Sequence, residues 1–203
     1  MWQGSAGSAQ TSQWRGRVRT LLQGPLGPLL IAAGLLLTVV LPQRFDQEPP
    51  VEVAAGAHLA CSLVQVIDGD TIDVRCEAGS MRVRLWGIDA PESGQQPWGD
   101  AAGRRLRELL GNDTINLGVQ GLDVYDRVLA RVSLPGVDDA GLRLVREGFA
   151  SVRTQYVTDQ AYRAARQNAR NQRLGIWSVP GAQQRPWEWR KLNPRQIRPA
   201  TLP

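Results

Sequence analysis

An Asp-Gly pair in the middle of the chain sets the first restriction on its fold. Asp68-Gly69 separates two runs rich in β-branched residues, at positions 62–67 and 70–76. Asp-Gly in this setting is the strongest short signal for two antiparallel strands joined by a tight turn. The sequence therefore predicts a hairpin. If Ile67 and Asp70 flank a two-residue turn, residues that pair across the strands have numbers that sum to 137.

The two cysteines of the chain, Cys61 and Cys76, fit this pairing. They are predicted to face each other with their Cα atoms about 5.5 Å apart, within the range of a disulfide. An oxidising compartment would favour the bond. A bulge in the hairpin would instead shift the register and leave two unpaired small hydrophobic residues.

Short strands alternate with helical patterns after the hairpin. Gly111 and Gly148 end two of these patterns, as glycine often ends a helix. Three strands followed by mixed helices and strands indicate an α+β domain with a small curled sheet or barrel. In a chain of 203 residues this leaves one domain with extensions at both ends. The further predicted strands are 81–88, 114–119 and 128–134, and the predicted helices are 100–110, 138–147 and 158–173.

The N-terminal extension carries an apolar segment. No charged residue occurs for 24 positions between Arg19 and Arg44, a length that can cross a bilayer as a helix. Arginines precede the segment and an acidic excess follows it, which fits the positive-inside rule. We therefore expect a cytoplasmic N-terminus at 1–20, a single transmembrane signal anchor at 21–42 and a linker at 43–60. The rest of the chain then lies outside the cytoplasm.

Two alternatives to this anchor remain open. A cleaved signal peptide would release the protein, but no small-x-small cleavage site directly follows the apolar segment. Residues 55–57 fit such a site and lie some fourteen residues too late. A buried core helix is the other alternative.

Composition excludes several chemistries. His58 is the only histidine, so a Ser-His pair, a two-histidine zinc site and paired-histidine catalysis are ruled out. The net charge is +5, yet residues 61–178 hold fifteen arginines and fifteen acidic residues. The positive excess therefore lies in the two ends and says little about the ligand of the domain. The basic tail at 179–203 contains Trp187 and Trp189, which could stack on bases, meet a lipid surface or pack on the domain.

Carboxylates and arginines are left to carry any catalysis. Asp68, Asp70, Asp89 and Glu92 lie around a turn and a strand end, and Arg84 lies between them. Carboxylates at turns are hard oxygen ligands suited to Ca²⁺ or Mg²⁺. The same residues could simply close a strand and open a loop. A second arginine in the segment 123–127 favours a site, because metal and guanidinium groups together suit phosphodiester hydrolysis.

Five blocks of sequence make the pattern specific. They occur in the order VIDGDT at 66–71, VRLWGIDAPE at 83–92, YDR at 125–127 with LA at 129–130, GFA at 148–150 and GIWS at 175–178. In order and spacing they resemble the staphylococcal nuclease (thermonuclease) family over residues 61–178. The resemblance implies a five-stranded OB-type β-barrel with three helices. It also implies a Ca²⁺-dependent nuclease that acts on DNA and RNA and leaves 3′-phosphates.

The resemblance assigns roles to individual residues. Asp70 and Asp89 match the calcium-binding carboxylates of the family. Ala90 stands where the family uses the backbone carbonyl of a threonine, a ligand that the change of side chain preserves.

Catalytic roles follow from the same blocks. Arg84 and Arg127 match the two arginines that clamp the phosphate, and Glu92 matches the carboxylate that orients or deprotonates the attacking water. Tyr125 is a candidate substrate contact.

The chain also departs from the family pattern. Val124 replaces a phosphate-contacting lysine, and Asp126 replaces the glycine before the second arginine. Thr154 stands where the family has a nucleotide-stacking tyrosine, and Tyr156 is displaced by two positions. Alternatives to an enzyme are a catalytically weak nucleic-acid-binding module and a membrane-tethered DNA-uptake receptor of the same fold. No protein partner is evident from the sequence.

Overall fold

The computed structural model describes residues 53–111 and 114–194. Five strands of this part of the chain form a closed barrel in the order β1-β2-β3-β6-β5, and two short strands pair beside it. The strands are β1 His58–Val66, β2 Thr71–Cys76, β3 Gly79–Leu85, β4 Ile88–Asp89, β5 Thr114–Leu122, β6 Val128–Ser133 and β7 Ser151–Val152. The helices are α1 Trp98–Leu110, α2 Ala140–Glu147, α3 Gln160–Asn171 and α4 Pro186–Leu192.

The barrel closes through one parallel pair. β3 and β6 run parallel, with Arg84 opposite Leu129, while the other neighbours in the barrel are antiparallel. The inward-facing residues are fully or almost fully buried, which is what the alternation of each strand requires. They include Ile72, Val74, Val83, Leu85, Ile115, Leu117, Ala130 and Val132. The predicted five-stranded OB-type barrel is thus confirmed.

The turn between β1 and β2 differs from the predicted one. Ile67 N–H donates to Thr71 O at 2.9 Å, so three residues rather than two lie between the last hydrogen-bonded residues of the hairpin. The extra residue is accommodated because Asp68 Oδ1 accepts the backbone N–H of Asp70 at 3.0 Å, an Asx turn. The prediction of a two-residue turn was wrong.

A bulge in β1 cancels this offset. The register shifts by one residue between Leu63 and Gln65, and before the bulge Cys61 lies opposite Cys76. The structure joins the two cysteines in a disulfide, with their Cα atoms 4.2 Å apart. This distance is shorter than the expected 5.5 Å and is typical of a pair that does not exchange hydrogen bonds across the strands.

The helices cover one side of the barrel. α1 buries Ala102, Leu106 and Leu110 on one stripe. α2 is capped at its N-terminus by Asp139, whose Oδ1 accepts the N–H of Leu142 at 3.0 Å, and at its C-terminus by Gly148. Gly148 has φ +79°, and a Cβ there would lie 2.5 Å from Leu174 O, so only glycine fits.

The three predicted helices are present with shifted ends. α1 begins two residues earlier than predicted, and α3 begins two residues later than predicted, with Asp159 as its N-cap. The fourth helix, α4, was not predicted, since residues 179–203 were described only as a basic tail. β1 also begins at His58, inside the predicted linker.

The segment that leads to α4 is attached to the domain. Gln183 is buried, and its side-chain amide donates to Ile176 O at 3.3 Å and to Val179 O at 2.8 Å. Pro186 occupies the first turn of α4, where proline is tolerated.

The predicted transmembrane anchor at 21–42 lies outside the described residues, as does the predicted cytoplasmic segment at 1–20. Within residues 53–111 and 114–194, no helix has the length and apolar character needed to span a bilayer.

Candidate active site

A cleft of about 1030 Å³ opens at the side of the barrel. It lies between the β1–β2 turn, the strand β3, the β5–β6 turn and the C-terminal helix α4. Its charged lining residues are Asp68, Arg82, Arg84, Glu92, Asp123, Arg127, Arg153 and Arg190. Asp70 and Asp89 lie behind these residues, 3% and 0% exposed.

Asp70 is held at the end of the β1–β2 turn. Its Oδ1 accepts Nη1–H of Arg84 at 2.7 Å and the hydroxyl of Thr71 at 3.0 Å. Its Oδ2 accepts the backbone N–H of Ala90 at 2.8 Å. The pairing of β2 with β3 places Thr71 opposite Arg84, which explains why the turn and this arginine meet.

Asp89 lies on β4, opposite Ser151 of β7. Arg84 Nη2–H donates to Asp89 Oδ1 at 2.7 Å, so one guanidinium joins the two buried aspartates. Burial opposes the charge of Arg84, but Asp70 and Asp89 hold its pKa above the ordinary value. The structure therefore brings three sequence-predicted residues together.

Glu92 lies beside this group, in the loop before α1. Its backbone N–H donates to Gln95 Oε1 at 2.9 Å. Gly99 of α1 packs so closely that a Cβ would lie 2.0 Å from Glu92 O, which fixes the loop against the helix. Burial raises the pKa of Glu92, and the charges of Asp70 and Asp89 raise it further, while Arg190 acts in the opposite direction.

Arg190 of α4 is the residue that sequence reasoning missed. Its Nη2–H donates to both carboxylate oxygens of Asp89 at 2.8 Å, and its Nη1–H donates to Glu92 Oε1. We call Asp70, Arg84, Asp89, Glu92 and Arg190 the central cluster. The only sequence signal for Arg190 was the general basic character of the tail.

Arg127 is the second arginine predicted to clamp the phosphate. It lines the cleft, but its Nε–H donates to Asp123 Oδ2 at 2.6 Å. The backbone N–H groups of Arg127 and Tyr125 also donate to Asp123. Burial works against ionisation of Asp123, yet these hydrogen bonds hold its pKa below the ordinary value. The structure thus places Arg127 at the rim of the cleft, where Asp123 rather than the central cluster binds its guanidinium.

The turn that carries Arg127 explains one departure from the family pattern. Asp126 has φ +59°, in the left-handed region where glycine is favoured and aspartate is tolerated. Tyr125 is 70% exposed, and the Arg127 guanidinium lies 5.5 Å from the centre of its ring. Tyr125 is therefore accessible at the cleft rim.

Arg153 joins the tail to the opposite rim. Its guanidinium lies 5.3 Å from the Tyr156 ring centre and 5.6 Å from that of Trp187, and its Nη1 is 3.6 Å from Asp89 Oδ2. Of the three roles considered for the tail tryptophans, the structure shows Trp187 packed on the domain.

Asp68 is a further acid at the cleft. Burial and the neighbouring charge of Asp70 raise its pKa to about 7. A carboxylic acid with this pKa exchanges protons near neutral pH.

The donor set suits a hard cation. Asp70 and Asp89 supply buried carboxylate oxygens, which now accept hydrogen bonds from cationic arginines. In the part of the chain that the structure describes, no group of three or more His, Cys, Asp or Glu residues could hold a metal ion. Two carboxylates fit Ca²⁺ or Mg²⁺ when backbone carbonyls, water and substrate oxygens complete the shell.

The barrel and its cleft of carboxylates and arginines are those expected of a nuclease with an OB-type fold. Residues 82–179 match the family model described as staphylococcal nuclease homologue. The micrococcal nuclease of Shigella flexneri is 38% identical over 153 residues, which cover 70% of this chain and 87% of the relative. The chain belongs to the staphylococcal nuclease family, as its motifs predicted.

Two further relatives carry related names. An uncharacterized endonuclease of Escherichia coli is 36% identical over 132 residues, covering 63% of this chain and 82% of the relative. The thermonuclease of Staphylococcus intermedius is 35% identical over 124 residues, covering 56% and 73%. The family model ends at residue 179, so α4 and Arg190 lie beyond the matched region.

Proposed function

We propose that this nuclease hydrolyses phosphodiester bonds of DNA and RNA in a Ca²⁺-dependent reaction that leaves 3′-phosphate ends. The observation that carries the proposal is the single guanidinium of Arg84 joining Asp70 and Asp89 beneath the cleft, with Glu92 beside them. The names of the relatives support nucleic acid as the substrate class.

Asp70, Asp89 and the backbone carbonyl of Ala90 are the groups that would hold the cation. When bound, the cation neutralises charge on the phosphate and polarises it toward attack. Arg84 presents two N–H groups from a rigid plane, which matches two phosphate oxygens. Because Asp70 and Asp89 hold its charge, Arg84 is positioned before the substrate arrives.

Glu92 is the group proposed to accept the proton of the attacking water. The water oxygen forms a bond to phosphorus, the bond from phosphorus to the 5′-oxygen breaks, and the water proton passes to the Glu92 carboxylate. A pKa raised by burial makes Glu92 a stronger base than an exposed glutamate. The leaving 5′-oxygen takes a proton from solvent water and is released as a hydroxyl, and Glu92 afterwards returns its proton to solvent.

Arg127 and Tyr125 act at the rim in this proposal. The Arg127 guanidinium leaves Asp123 and contacts the phosphate, and the exposed Tyr125 ring contacts the nucleotide. The cost of breaking the Arg127–Asp123 pair is modest because both side chains are partly exposed.

The proposed location is the cell membrane, with one anchor at 21–42 and the catalytic domain outside the cytoplasm. The charge-free segment supports this location, and so does the Cys61–Cys76 disulfide, since such bonds persist in oxidising compartments. Membrane fractionation with intact-mass measurement tests it. A mature protein that begins near residue 58 would show secretion after cleavage, and intact protein in the cytosol would contradict export altogether.

End-group analysis tests the reaction. The full-length protein is incubated with single-stranded DNA or RNA and millimolar Ca²⁺, with a chelator control. Products that end in 3′-phosphate, and that disappear with chelator, are expected. A folded protein that is inert with Ca²⁺, Mg²⁺ and Mn²⁺ contradicts the proposal.

A binding module is the second candidate function. The observation that favours it is that Asp70 and Asp89 already form ion pairs with Arg84 and Arg190, which oppose the binding of a cation needed for cleavage. Binding of an oligonucleotide without cleavage, under every metal condition above, would support this candidate instead.

A further inference from the structure

Arg190 covers one of the carboxylates that the proposed reaction needs. Asp89 is 0% exposed, and Arg190 donates to both of its oxygens. Arg190 lines the cleft, whereas Asp89 does not. A cation that enters from the cleft and binds Asp89 must therefore displace the Arg190 guanidinium.

The side-chain partners of Arg190 in the described part of the chain belong to the central cluster. The hydrogen bonds and ion pairs of its guanidinium go to Asp89 and Glu92. Arg127 contrasts with it, because Asp123 binds the Arg127 guanidinium and also caps its backbone. Displacement of Arg190 from Asp89 thus leaves Glu92 as its one carboxylate partner in the described structure and frees the Nη2 group next to Arg84.

The net charge of the central cluster indicates which anion Arg190 binds after it leaves Asp89. The central cluster has three carboxylates and two guanidinium groups, which leaves one negative charge. Asp68 and Arg153 line the cleft beside the cluster and are not counted in this net charge. A divalent cation changes the cluster to one positive charge, and a single phosphodiester neutralises it. The planar two-point fork of an arginine suits phosphate oxygens.

The attachment of α4 permits this movement. Gln183 and the Trp187–Arg153 contact hold the segment to the domain. The long Arg190 side chain can therefore exchange partners while the helix stays in place.

We propose that Arg190 is a third phosphate-binding arginine of the active site, which holds Asp89 and Glu92 in the free protein and transfers to the phosphodiester when a divalent cation binds Asp89. The inference rests on the proposed function. It assigns an active-site role to a segment beyond the family domain.

Calorimetric titration with Ca²⁺ and steady-state kinetics on a single-stranded oligonucleotide test this exchange. The full-length protein is compared with Arg190→Gln, Arg190→Lys and the control Arg185→Gln. Arg185 lies on the same segment and is paired only with Glu188 in the described structure. Circular dichroism and thermal unfolding establish that each variant is folded.

Arg190→Gln is expected to bind Ca²⁺ at least about tenfold more tightly, because no guanidinium competes for Asp89. At saturating Ca²⁺ its kcat is expected to fall about tenfold or more, because one donor to the phosphate is lost. Arg190→Lys should keep the wild-type Ca²⁺ affinity, since its charge still competes, but lose kcat with the two-point fork. Arg185→Gln should change neither quantity.

Unchanged Ca²⁺ affinity in Arg190→Gln would contradict the competition for Asp89. Tighter Ca²⁺ binding with an equal or higher kcat would show that Arg190 only blocks the site, and would overturn its role toward phosphate. An Asp89→Asn variant separates failure of the exchange from failure of the metal site: if Asp89→Asn loses Ca²⁺ affinity while Arg190→Gln keeps the wild-type affinity, only the exchange is wrong. If Asp89→Asn binds Ca²⁺ as the wild type does, the metal site of the proposed function is wrong, and the exchange at Asp89 is wrong with it.

Discussion

Arg82 and Asp73 form a two-point ion pair across β2 and β3, with Nε 2.7 Å from Oδ1 and Nη2 3.0 Å from Oδ2. Both side chains are buried, and Gln65 donates to Asp73 from β1 at 2.8 Å. Arg82 lines the same cleft as Arg84, which comes two residues later on β3. The two arginines therefore have different roles. Arg82 joins the strands, while Arg84 binds the active-site carboxylates.

Replacing Asp73 with Asn is therefore expected to destabilise the barrel. The buried Arg82 guanidinium would lose its two-point contact with the Asp73 carboxylate, which costs about 3 kcal/mol of unfolding free energy. Urea unfolding of the wild type and Asp73→Asn measures the difference. The exposed Asp126→Asn is the matched control, and equal loss in both variants would contradict a specific role for the pair.

Glu147 should make the stability of the domain depend on pH in the acidic range. It accepts Nε–H of Arg105 at 2.6 Å and Nε–H of Arg143 at 2.6 Å, and these hydrogen bonds hold its pKa below the ordinary 4.5. A lowered pKa stabilises the fold above the ordinary pKa, and this stabilisation is lost as pH falls through the lowered value.

Glu147→Gln is accordingly expected to cost on the order of 1 kcal/mol at pH 7, since the pair is partly exposed. The difference should shrink between pH 7 and an acidic pH at which the wild type still folds, because the wild-type carboxyl becomes protonated as pH falls through its lowered pKa. Urea unfolding at both pH values tests this. A cost that is the same at both pH values would show that packing, rather than charge, is responsible.

The Cys61–Cys76 disulfide should stabilise the hairpin that carries Asp70. It closes a loop with a sequence separation of 15 residues, for which chain entropy gives about 3 kcal/mol. Unfolding with and without reductant measures this, and the Cys61→Ser, Cys76→Ser double variant should match the reduced protein. Non-reducing peptide mapping of the exported protein is a second readout, and two free thiols would contradict the bond.

The parts of the site that sequence reasoning found are close together in the chain. Asp70, Arg84, Asp89 and Glu92 lie within one hairpin and the strand and loop that follow it, so turn and strand signals were enough to relate them. The helices α1, α2 and α3 were predictable because their apolar residues recur at helical spacing.

The parts that were missed depend on tertiary contacts. Arg190 reaches Glu92 across 98 residues, and no local pattern encodes that approach. The seven-residue helix α4 is too short for a periodic signal. The Arg127–Asp123 pair is easier to infer from sequence, because the two residues are four positions apart in one turn.

The prediction that Cys61 faces Cys76 missed two features of the hairpin, and these two features shift the register in opposite directions. The turn has one residue more than the Asp-Gly signal implied, and the bulge near Leu63 restores the register at Cys61. Hydrophobic alternation alone does not reveal a one-residue bulge when the flanking strand is partly exposed.

The value of kcat/KM for two conservative variants tests the catalytic centre most directly. Arg84→Lys keeps the charge but loses the fork that joins Asp70 and Asp89, and Glu92→Gln removes the proton acceptor while keeping the shape. With Ca²⁺ and single-stranded DNA, each is expected to lower kcat/KM by about 10²-fold or more while the protein stays folded. Wild-type kcat/KM in both folded variants would contradict the assignment of this cleft as the active site.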